Sequence, residues 1–384
     1  MEYQHGGDIY SQEILWDFSA NINPLGTPQG VRKAICQAAK NCDRYPDSKC
    51  RGLVRKLSSF HQLPKTAILC GNGAADLIFQ IVFAERPQIG WLLAPGFLEY
   101  EQALNAADAD IRFFFLQREK GFRLDCDKLI EKLSMERGNA YESKYGSKGK
   151  CPNKILFLCN PNNPTGLVIK KGDLTKLAAY TKKTNIRLVI DECFLDFCET
   201  CNTDSFIQNL QEFPHVVVLK AFTKRYGMAG IRLGYCLTMD YDLLERMEEI
   251  RQPWSVSNLA QAAGEAALEE QAYLNQTDWV IGEGRKQLTE GLKELGLWVC
   301  DSEANYVLFQ DLRDGAKDGN LYVMCRQRKL LLRSCKNFKG MDGSYYRVCV
   351  KTEEENKVLL HMLKECLEEG KGRRNGTVSD YSCG

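Results

Sequence analysis

A lysine with a hydroxyl neighbour and a downstream arginine is the first combination of residues that could carry chemistry. The apolar run that begins at Val216 leads into Thr223 and Lys224, and Arg232 follows. A lysine at the carboxyl end of a buried strand can form a Schiff base, while a nearby hydroxyl and guanidinium can hold a phosphate. Lys220 competes for the same role, but it lies inside the apolar run without an adjacent hydroxyl, so we favour Lys224.

An aspartate ends another apolar strand. Asp191 directly follows Ile190, which places its carboxylate at the carboxyl end of a buried strand, where ligands bind in open α/β sheets. A carboxylate at such a place can keep a pyridine nitrogen protonated, as pyridoxal phosphate (PLP) requires in order to act as an electron sink. A helix N-cap is the structural alternative for this residue. Taken with Lys224, Asp191 predicts a PLP site.

Two loops follow other predicted strands. Cys70-Gly-Asn-Gly-Ala-Ala-Asp76 can present the backbone N–H groups of Gly73 and Ala74 to a phosphate at a helix N-terminus. The loop lacks the full dinucleotide fingerprint and the P-loop lysine, which disfavours a Rossmann dehydrogenase and a P-loop NTPase. Asn160-Pro-Asn-Asn-Pro-Thr-Gly166 predicts a rigid turn, in which Asn163 could donate a hydrogen bond to the phenolic oxygen of the PLP ring.

Short apolar runs alternate with segments of helical period in the part of the chain that carries these residues. The runs show little polar alternation, as is typical of strands buried on both faces of a parallel sheet. The predicted strands are Ala67–Cys70, Trp91–Ala94, Ile111–Leu116, Ile155–Cys159, Leu188–Ile190, Val216–Lys220 and Leu233–Leu237. Helical period is present in Asp76–Ala84, Leu174–Thr181 and Tyr241–Arg251. Repeated βα units predict an α/β fold with a mostly parallel central sheet flanked by helices.

The pattern changes after Pro253. Asn258–Gln276 predicts one long helix, and further strands are predicted at Tyr306–Phe309, Leu330–Arg333 and Tyr346–Val350, before a charged helix at Glu353–Leu367. We therefore expect an N-terminal arm and the start of a small domain at 1–44, a large PLP-binding domain at 45–280, a smaller C-terminal α/β domain at 281–369 and a disordered tail at 370–384. The polar segment Tyr141–Asn153 predicts a surface loop.

Composition excludes several classes of function. The chain has 384 residues and a net charge of +1, so nothing indicates binding to nucleic acid or to an anionic membrane. Its apolar runs are far shorter than the roughly 20 residues that cross a bilayer. The polar start, Met1–Asp8, predicts no signal peptide, so we expect a cytoplasmic protein. Cys198 and Cys201 form a CxxC without a second pair at fitting spacing, so no metal site is predicted.

The order of the four features, at 71, 160, 191 and 224, resembles the fold-type I PLP enzymes of the aspartate-aminotransferase superfamily. Within that superfamily the chain resembles the L-threonine-O-3-phosphate decarboxylases of cobalamin biosynthesis more than the related histidinol-phosphate aminotransferases. The segments that carry this resemblance begin at His5, Asp17, Pro95, Asp191, Pro253, Ala304, Leu332 and Tyr345. Aminotransferases usually have a tyrosine at the position of Phe194, whereas the decarboxylases resemble this chain in having phenylalanine.

The resemblance implies a role for each candidate residue. Lys224 would carry PLP as a Schiff base, Asp191 would pair with the ring nitrogen, and Asn163 would bond the ring oxygen. Phe97 would stack on the ring, and the cofactor phosphate would be held by Gly73, Ala74, Thr223, Arg232 and, from the second subunit of a homodimer, Tyr45. The phosphorylated amino acid would be bound by His5, Gly6, Asn21, Asn163, Arg333 and Arg347.

Alternatives remain at this point. The resemblance favours decarboxylation of L-threonine-O-3-phosphate, with histidinol-phosphate transamination as the second hypothesis. Serine phosphate is an alternative substrate, because one methyl group changes binding by only about 1–3 kcal/mol. Which of Arg333 and Arg347 takes the carboxylate and which the phosphate is open. A PLP-binding regulator is disfavoured, because the resemblance begins at residue 5 and leaves no room for a preceding DNA-binding domain.

Overall fold

The computed structural model describes residues 5–135, 153–199, 201–318 and 320–375. Its strands are β1 Trp16–Asp17, β2 Ile68–Gly71, β3 Ile89–Ala94, β4 Asp110–Phe115, β5 Lys154–Cys159, β6 Ile186–Asp191, β7 Val216–Ala221, β8 Gly234–Leu237, β9 Trp298–Val299, β10 Tyr306–Gln310, β11 Leu330–Leu331, β12 Arg333–Ser334 and β13 Tyr345–Cys349. Its helices are α1 Gln29–Ala38, α2 Arg51–His61, α3 Ala74–Glu85, α4 Leu98–Ala106, α5 Cys126–Met135, α6 Lys171–Thr184, α7 Cys201–Asp204, α8 Phe222–Arg225, α9 Tyr241–Ile250, α10 Asn258–Ala267, α11 Gln271–Glu294, α12 Asn320–Gln327 and α13 Glu353–Asn375.

The large sheet contains all the strands predicted before Pro253. Its order, within the described residues, is β2-β8-β7-β6-β5-β3-β4. Strand β8 runs antiparallel to β2 and β7, and the other pairs are parallel. Strands β2, β3, β7 and β8 are buried along their whole length, as expected for a sheet covered by helices on both faces. The predicted α/β fold with a mostly parallel central sheet is therefore confirmed.

Two helices, α9 and α10, begin at side chains that accept a hydrogen bond from a free backbone N–H. The Asp240 side chain accepts a hydrogen bond from the Leu243 N–H at the start of α9, and Ser257 accepts one from Ala260 at the start of α10. The prediction of one helix over Asn258–Gln276 is wrong. Helix α10 ends at Ala267 and α11 begins at Gln271, although good helix formers fill the intervening sequence.

A second, antiparallel sheet has the order β12-β13-β10-β9 among the described strands. The predicted strand Leu330–Arg333 is divided at Leu332. Its first half, β11, pairs in parallel with β1, and its second half, β12, pairs with β13. This change of partner places Arg333 directly opposite Arg347 in the antiparallel register. The side chains of Arg333 and Arg347 thus become cross-strand neighbours.

The C-terminal part differs from the expected boundaries. Helix α11 continues across the expected boundary at residues 280 and 281, and α13 continues to Asn375, past the expected start of a disordered tail at 370. Residues 376–384 and the predicted loop at 141–152 lie outside the described residues. No helix in the described ranges combines the length and apolar character needed to cross a membrane.

Candidate active site

The carboxyl ends of neighbouring parallel strands deliver the predicted catalytic residues to one place. Asp191 is the last residue of β6, and Lys224 lies in α8 directly after β7. Asn163 follows the end of β5, and Phe97 follows the end of β3. Because parallel strands end at the same edge of the sheet, all of these side chains line one cavity of about 260 Å³.

Asp191 is held by two donors. The Tyr100 hydroxyl donates to its Oδ2 at 2.7 Å, and the Cys193 backbone N–H donates to its Oδ1 at 2.9 Å. The residue is 4% exposed. The two hydrogen bonds fix the orientation of this buried side chain. A carboxylate fixed in this way is suited to holding a proton on a ring nitrogen.

Lys224 is the lysine that faces the cavity. Burial lowers the pKa of its ammonium, and the nearby guanidinium of Arg347 lowers it further. Its Nζ lies 5.9 Å from the ring centroid of Phe194, which also lines the cavity. A lysine with a lowered pKa has more of the neutral amine that a Schiff base requires.

Lys220 lies in a different environment. Its Nζ is 2.6 Å from Asp196 Oδ1 and 3.5 Å from Glu192 Oε2, and the side chain is 5% exposed. These two acidic residues engage the Lys220 amine in ion pairs, away from any cofactor. Lys220 is also absent from the residues that line the cavity, so the geometry supports Lys224 as the cofactor lysine.

The positive end of a helix and an arginine meet on one side of the cavity. Helix α3 begins after Gly73 without a side-chain cap, so its first N–H groups, beginning at Ala74, are available to an anion. Gly73 has φ +86°, and a Cβ there would lie 2.8 Å from Arg232 Nη2. Thr223 and Arg232 line the cavity beside Ala74. Together these groups can hold a phosphate.

Two further arginines line the cavity. Arg333 and Arg347 are each 6% exposed. Burial and the charge of Arg347 opposite it together lower the pKa of Arg333 to about 10. The Arg347 guanidinium donates to Asn163 Oδ1 and, at 2.9 Å, to the Ser19 carbonyl oxygen. Like charges directly opposite each other are unfavourable, so this pair is suited to binding an anion.

Three residues of the N-terminal arm also line the cavity. They are His5, Gly6 and Asn21, to which the family resemblance assigns a part in substrate binding. The backbone of Gly6 lies so close to that of Ser19 that a Cβ at position 6 would be 2.3 Å from the Ser19 carbonyl oxygen. Asn21 is 3% exposed, and neither polar atom of its amide has a hydrogen-bond partner in the described part of the chain. A buried amide of this kind is suited to a polar ligand.

Tyr45 is a predicted site residue that lies outside this cavity. It is 79% exposed and does not line the cavity of its own chain. Its ring stacks on Trp254 at 4.5 Å between centroids, and Trp254 is itself 48% exposed. Among the other predicted residues, Gly73 lies next to the guanidinium of Arg232, which lines the cavity. The remaining predicted residues line the cavity themselves.

Sequence reasoning missed three residues of the site. Tyr100 orients Asp191, Ser19 accepts from Arg347, and Glu99 lines the cavity between the arm and the sheet. The segment Pro95–Tyr100 contributed to the family resemblance, and its place directly after β3 was the available signal for two of them. Ser19 acts through its backbone carbonyl, which no residue type could have revealed.

The cavity has the groups that PLP needs. It combines a lysine of lowered pKa, a fixed carboxylate and an uncapped helix N-terminus with an arginine. The unpartnered Asn21 amide and the unpartnered buried Nε of Arg347, within the described residues, add donors for a second anionic ligand. The fold and this site define a fold-type I PLP-dependent enzyme.

Comparison with known proteins agrees with that class. A family model described as aminotransferase class I and II matches residues 13–363. The chain is 36% identical to the threonine-phosphate decarboxylase of Salmonella typhimurium, over 94% of this chain and 96% of that protein. It is 33% identical to the histidinol-phosphate aminotransferase of Symbiobacterium thermophilum, over 93% of this chain and 91% of that protein.

Solved structures show the same fold. The crystal structure of histidinol-phosphate aminotransferase from Sinorhizobium meliloti in complex with pyridoxal-5'-phosphate has a TM-score of 0.81 and 21% identity, covering 94% of this chain and 92% of that chain. The chain belongs to the aminotransferase class I and II family, and PLP is its cofactor.

Proposed function

We propose that this enzyme decarboxylates L-threonine-O-3-phosphate to (R)-1-amino-2-propanol O-2-phosphate and acts in cobalamin biosynthesis. The observation that carries the proposal is the cross-strand pair Arg333 and Arg347 beside the cofactor groups, because it suits a substrate with two anionic groups. The 36% identity to the Salmonella typhimurium threonine-phosphate decarboxylase supports this substrate among the phosphorylated amino acids.

The residues of the large sheet would hold the cofactor. Lys224 would bind PLP covalently, Asp191 would keep the proton on the pyridine nitrogen, and Phe97 would stack on the ring. Asn163 would bond the ring oxygen, and the phosphate would be held by Gly73, Ala74, Thr223 and Arg232. Bound PLP supplies an electron sink for the electrons of the broken bond.

The substrate side would set which bond breaks. Arg347 is fixed by Asn163 and Ser19, so its guanidinium can orient a carboxylate at a defined angle. We assign the carboxylate to Arg347 and the phosphate to Arg333, with His5, Gly6 and Asn21 closing the site from the arm. Lys224 Nζ can then supply a proton to Cα after carbon dioxide has left.

Phe194 supports decarboxylation over transamination. Its ring lines the cavity and packs edge-on against Tyr306 at 5.1 Å between centroids. A phenylalanine has no hydroxyl that could bond the phenolic oxygen of PLP. The chain resembles the decarboxylases in this respect. The second candidate is histidinol-phosphate transamination, which the 33% identity to the Symbiobacterium thermophilum enzyme favours.

We further propose a cytoplasmic homodimer in which Tyr45 binds the PLP phosphate of the partner subunit. The exposed stack of Tyr45 on Trp254, outside the cavity of its own chain, supports this arrangement.

We also propose that the large domain is built on the seven strands of the central sheet, and the small domain on β9, β10, β12 and β13. The start of the small domain would lie within α11.

Product analysis tests the function. The purified enzyme with PLP is incubated in parallel with L-threonine-O-3-phosphate, O-phospho-L-serine and histidinol phosphate, with and without 2-oxoglutarate. We expect carbon dioxide and the amino alcohol phosphate from threonine phosphate without any keto acid, and none from a Lys224→Ala variant. Turnover of histidinol phosphate that depends strictly on 2-oxoglutarate would support the aminotransferase instead.

A further inference from the structure

Glu99 is an acid in the cavity that the proposed chemistry leaves without a role. It lies in the first turn of α4, directly after the loop that carries Phe97. Its Oε1 is 3.4 Å from His5 Nδ1 of the arm. Its Oε2 is buried and has no hydrogen-bond partner among the described residues. A buried carboxyl oxygen without a partner, in a cavity that binds ligands, is suited to contact a ligand.

Charged groups on several elements act on Glu99. The cations are Lys224 after β7, Arg333 of β12 and Arg347 of β13, and the other acid is Asp191 of β6. His5 of the arm contacts Glu99, and the Cys159 thiol of β5 also interacts with it electrostatically.

Burial affects the pKa of Glu99 more than these charges do. It raises the pKa of Glu99 to about 7, although Lys224 and Arg333 act to lower it. Burial and the charge on Arg333 lower the pKa of His5, so the histidine at 3.4 Å is favoured as the neutral form. Glu101 on the same helix points elsewhere, 3.8 Å from Lys339 Nζ. Glu99 can therefore gain or lose a proton near neutral pH.

An incoming anion changes which form of Glu99 is stable. A phosphate bound at Arg333 would repel an ionised carboxylate in the same cavity, and like charges raise a carboxyl pKa. A protonated carboxylic acid has an O–H that can donate to an anionic oxygen, and such charge-assisted bonds are strong. The ionised form opposes substrate binding and the protonated form assists it.

We propose that Glu99 binds the substrate in its protonated form and donates a hydrogen bond to the anionic group at Arg333, so that substrate binding takes up a proton at this site. The proposal rests on the proposed function, since it requires a phosphorylated substrate in the same cavity. It makes Glu99 a substrate-binding residue that selects for an anionic group, and it makes affinity depend on pH.

The proposal predicts that affinity for the substrate falls as the pH rises above the pKa of Glu99. Below the pKa of free Glu99, about 7, the residue already carries the proton and binding is at full strength. Above that pH each binding event must first protonate the carboxylate, so KM for L-threonine-O-3-phosphate rises about tenfold for each pH unit. In Glu99→Gln the amide donates at every pH, so this rise is lost.

The matched control is Glu101→Gln, which neutralises an acid of the same helix outside the cavity. We expect KM of Glu101→Gln to follow the wild-type profile, with kcat within about threefold of wild type, and KM of Glu99→Gln to stay flat across the same pH range. Ionisation of the substrate changes KM of every variant by the same factor. This factor therefore cancels when KM of one variant is divided by KM of another at the same pH. Thermal unfolding of each variant checks that the fold is kept.

Calorimetry gives a readout that does not depend on turnover. 3-Phosphoglycerate carries both anionic groups but no amine, so it can occupy the arginines of the holoenzyme without reacting. Its binding at pH 8, in buffers of different ionisation enthalpy, should take up about one proton per site in the wild type and in Glu101→Gln, and almost none in Glu99→Gln.

Equal proton uptake in wild type and Glu99→Gln, or parallel KM profiles for the two, would overturn the proposal. A severe loss of kcat in Glu99→Gln without a change in proton uptake would do so as well, because it would make the carboxylate a base. If the wild type releases no carbon dioxide from threonine phosphate, the proposed function fails, while the proton uptake with 3-phosphoglycerate still tests Glu99 separately.

Discussion

Replacement of Asp191 by asparagine separates the charge of this residue from its shape. Asparagine keeps an oxygen that can accept from the Cys193 N–H, which lies 2.9 Å from Oδ1 in the wild type. The new NH2 group would face the Tyr100 hydroxyl, now 2.7 Å from Oδ2, and a hydroxyl can accept as well as donate. The amide therefore fits the existing contacts, and we expect Asp191→Asn to fold.

The expected loss follows from the missing charge. A hydrogen bond to a charged group contributes about 1.5–3 kcal/mol, whereas a neutral one contributes about 0.5–1.5 kcal/mol. The difference of about 1–1.5 kcal/mol corresponds to roughly a tenfold change in rate, since about 1.4 kcal/mol is a factor of ten. Because the amide cannot stabilise a protonated ring nitrogen, tenfold is a lower limit for the fall in kcat.

The assay is carbon dioxide release from L-threonine-O-3-phosphate at saturating PLP. Tyr100→Phe is the control, because it removes one hydrogen bond to Asp191 but keeps the carboxylate, and we expect it to lose less activity than Asp191→Asn. Both variants should bind PLP and show cooperative thermal unfolding. An Asp191→Asn enzyme with more than half of the wild-type kcat would refute the role assigned to this carboxylate.

Three further predictions test the surroundings of the site. Arg333→Gln should raise KM for threonine phosphate by about 10- to 150-fold, the equivalent of losing one charge-assisted bond, and an unchanged KM would show that the phosphate binds elsewhere. Lys220→Met leaves the fully buried Glu192 without its cation and should lower the free energy of unfolding by about 3 kcal/mol in urea denaturation, while unaltered stability would mean that the pair contributes nothing. Tyr45→Ala should raise the Kd for PLP without changing the absorbance of the saturated enzyme, and it should leave the PLP affinity intact if the partner subunit makes no contact with the phosphate.

The strands of the large sheet could be predicted because each is an apolar run bounded by turn residues. The predicted strand Val216–Lys220 is observed as Val216–Ala221, and both faces are buried. The same reasoning placed Asp191 and Lys224 together, because both follow parallel strands at one edge of the sheet. Positions set by strand ends are therefore readable from the sequence.

Features that depend on tertiary contacts could not be predicted from the sequence. The break between α10 and α11 falls at Leu268–Glu270, where every residue is a good helix former, so local propensity gives no signal for it. The division of Leu330–Arg333 between two partners likewise depends on where β1 and β13 lie. The 3.4 Å contact between Glu99 and His5 likewise depends on where the N-terminal arm lies.

The covalent link between Lys224 and PLP is tested most directly by borohydride reduction of the holoenzyme, followed by proteolysis and mass spectrometry. We expect the reduced cofactor on the peptide that contains Lys224, with Lys220 unmodified, since Lys220 is 2.6 Å from Asp196 and does not line the cavity. A cofactor adduct on Lys220 or on any other lysine would contradict the assignment of the active site.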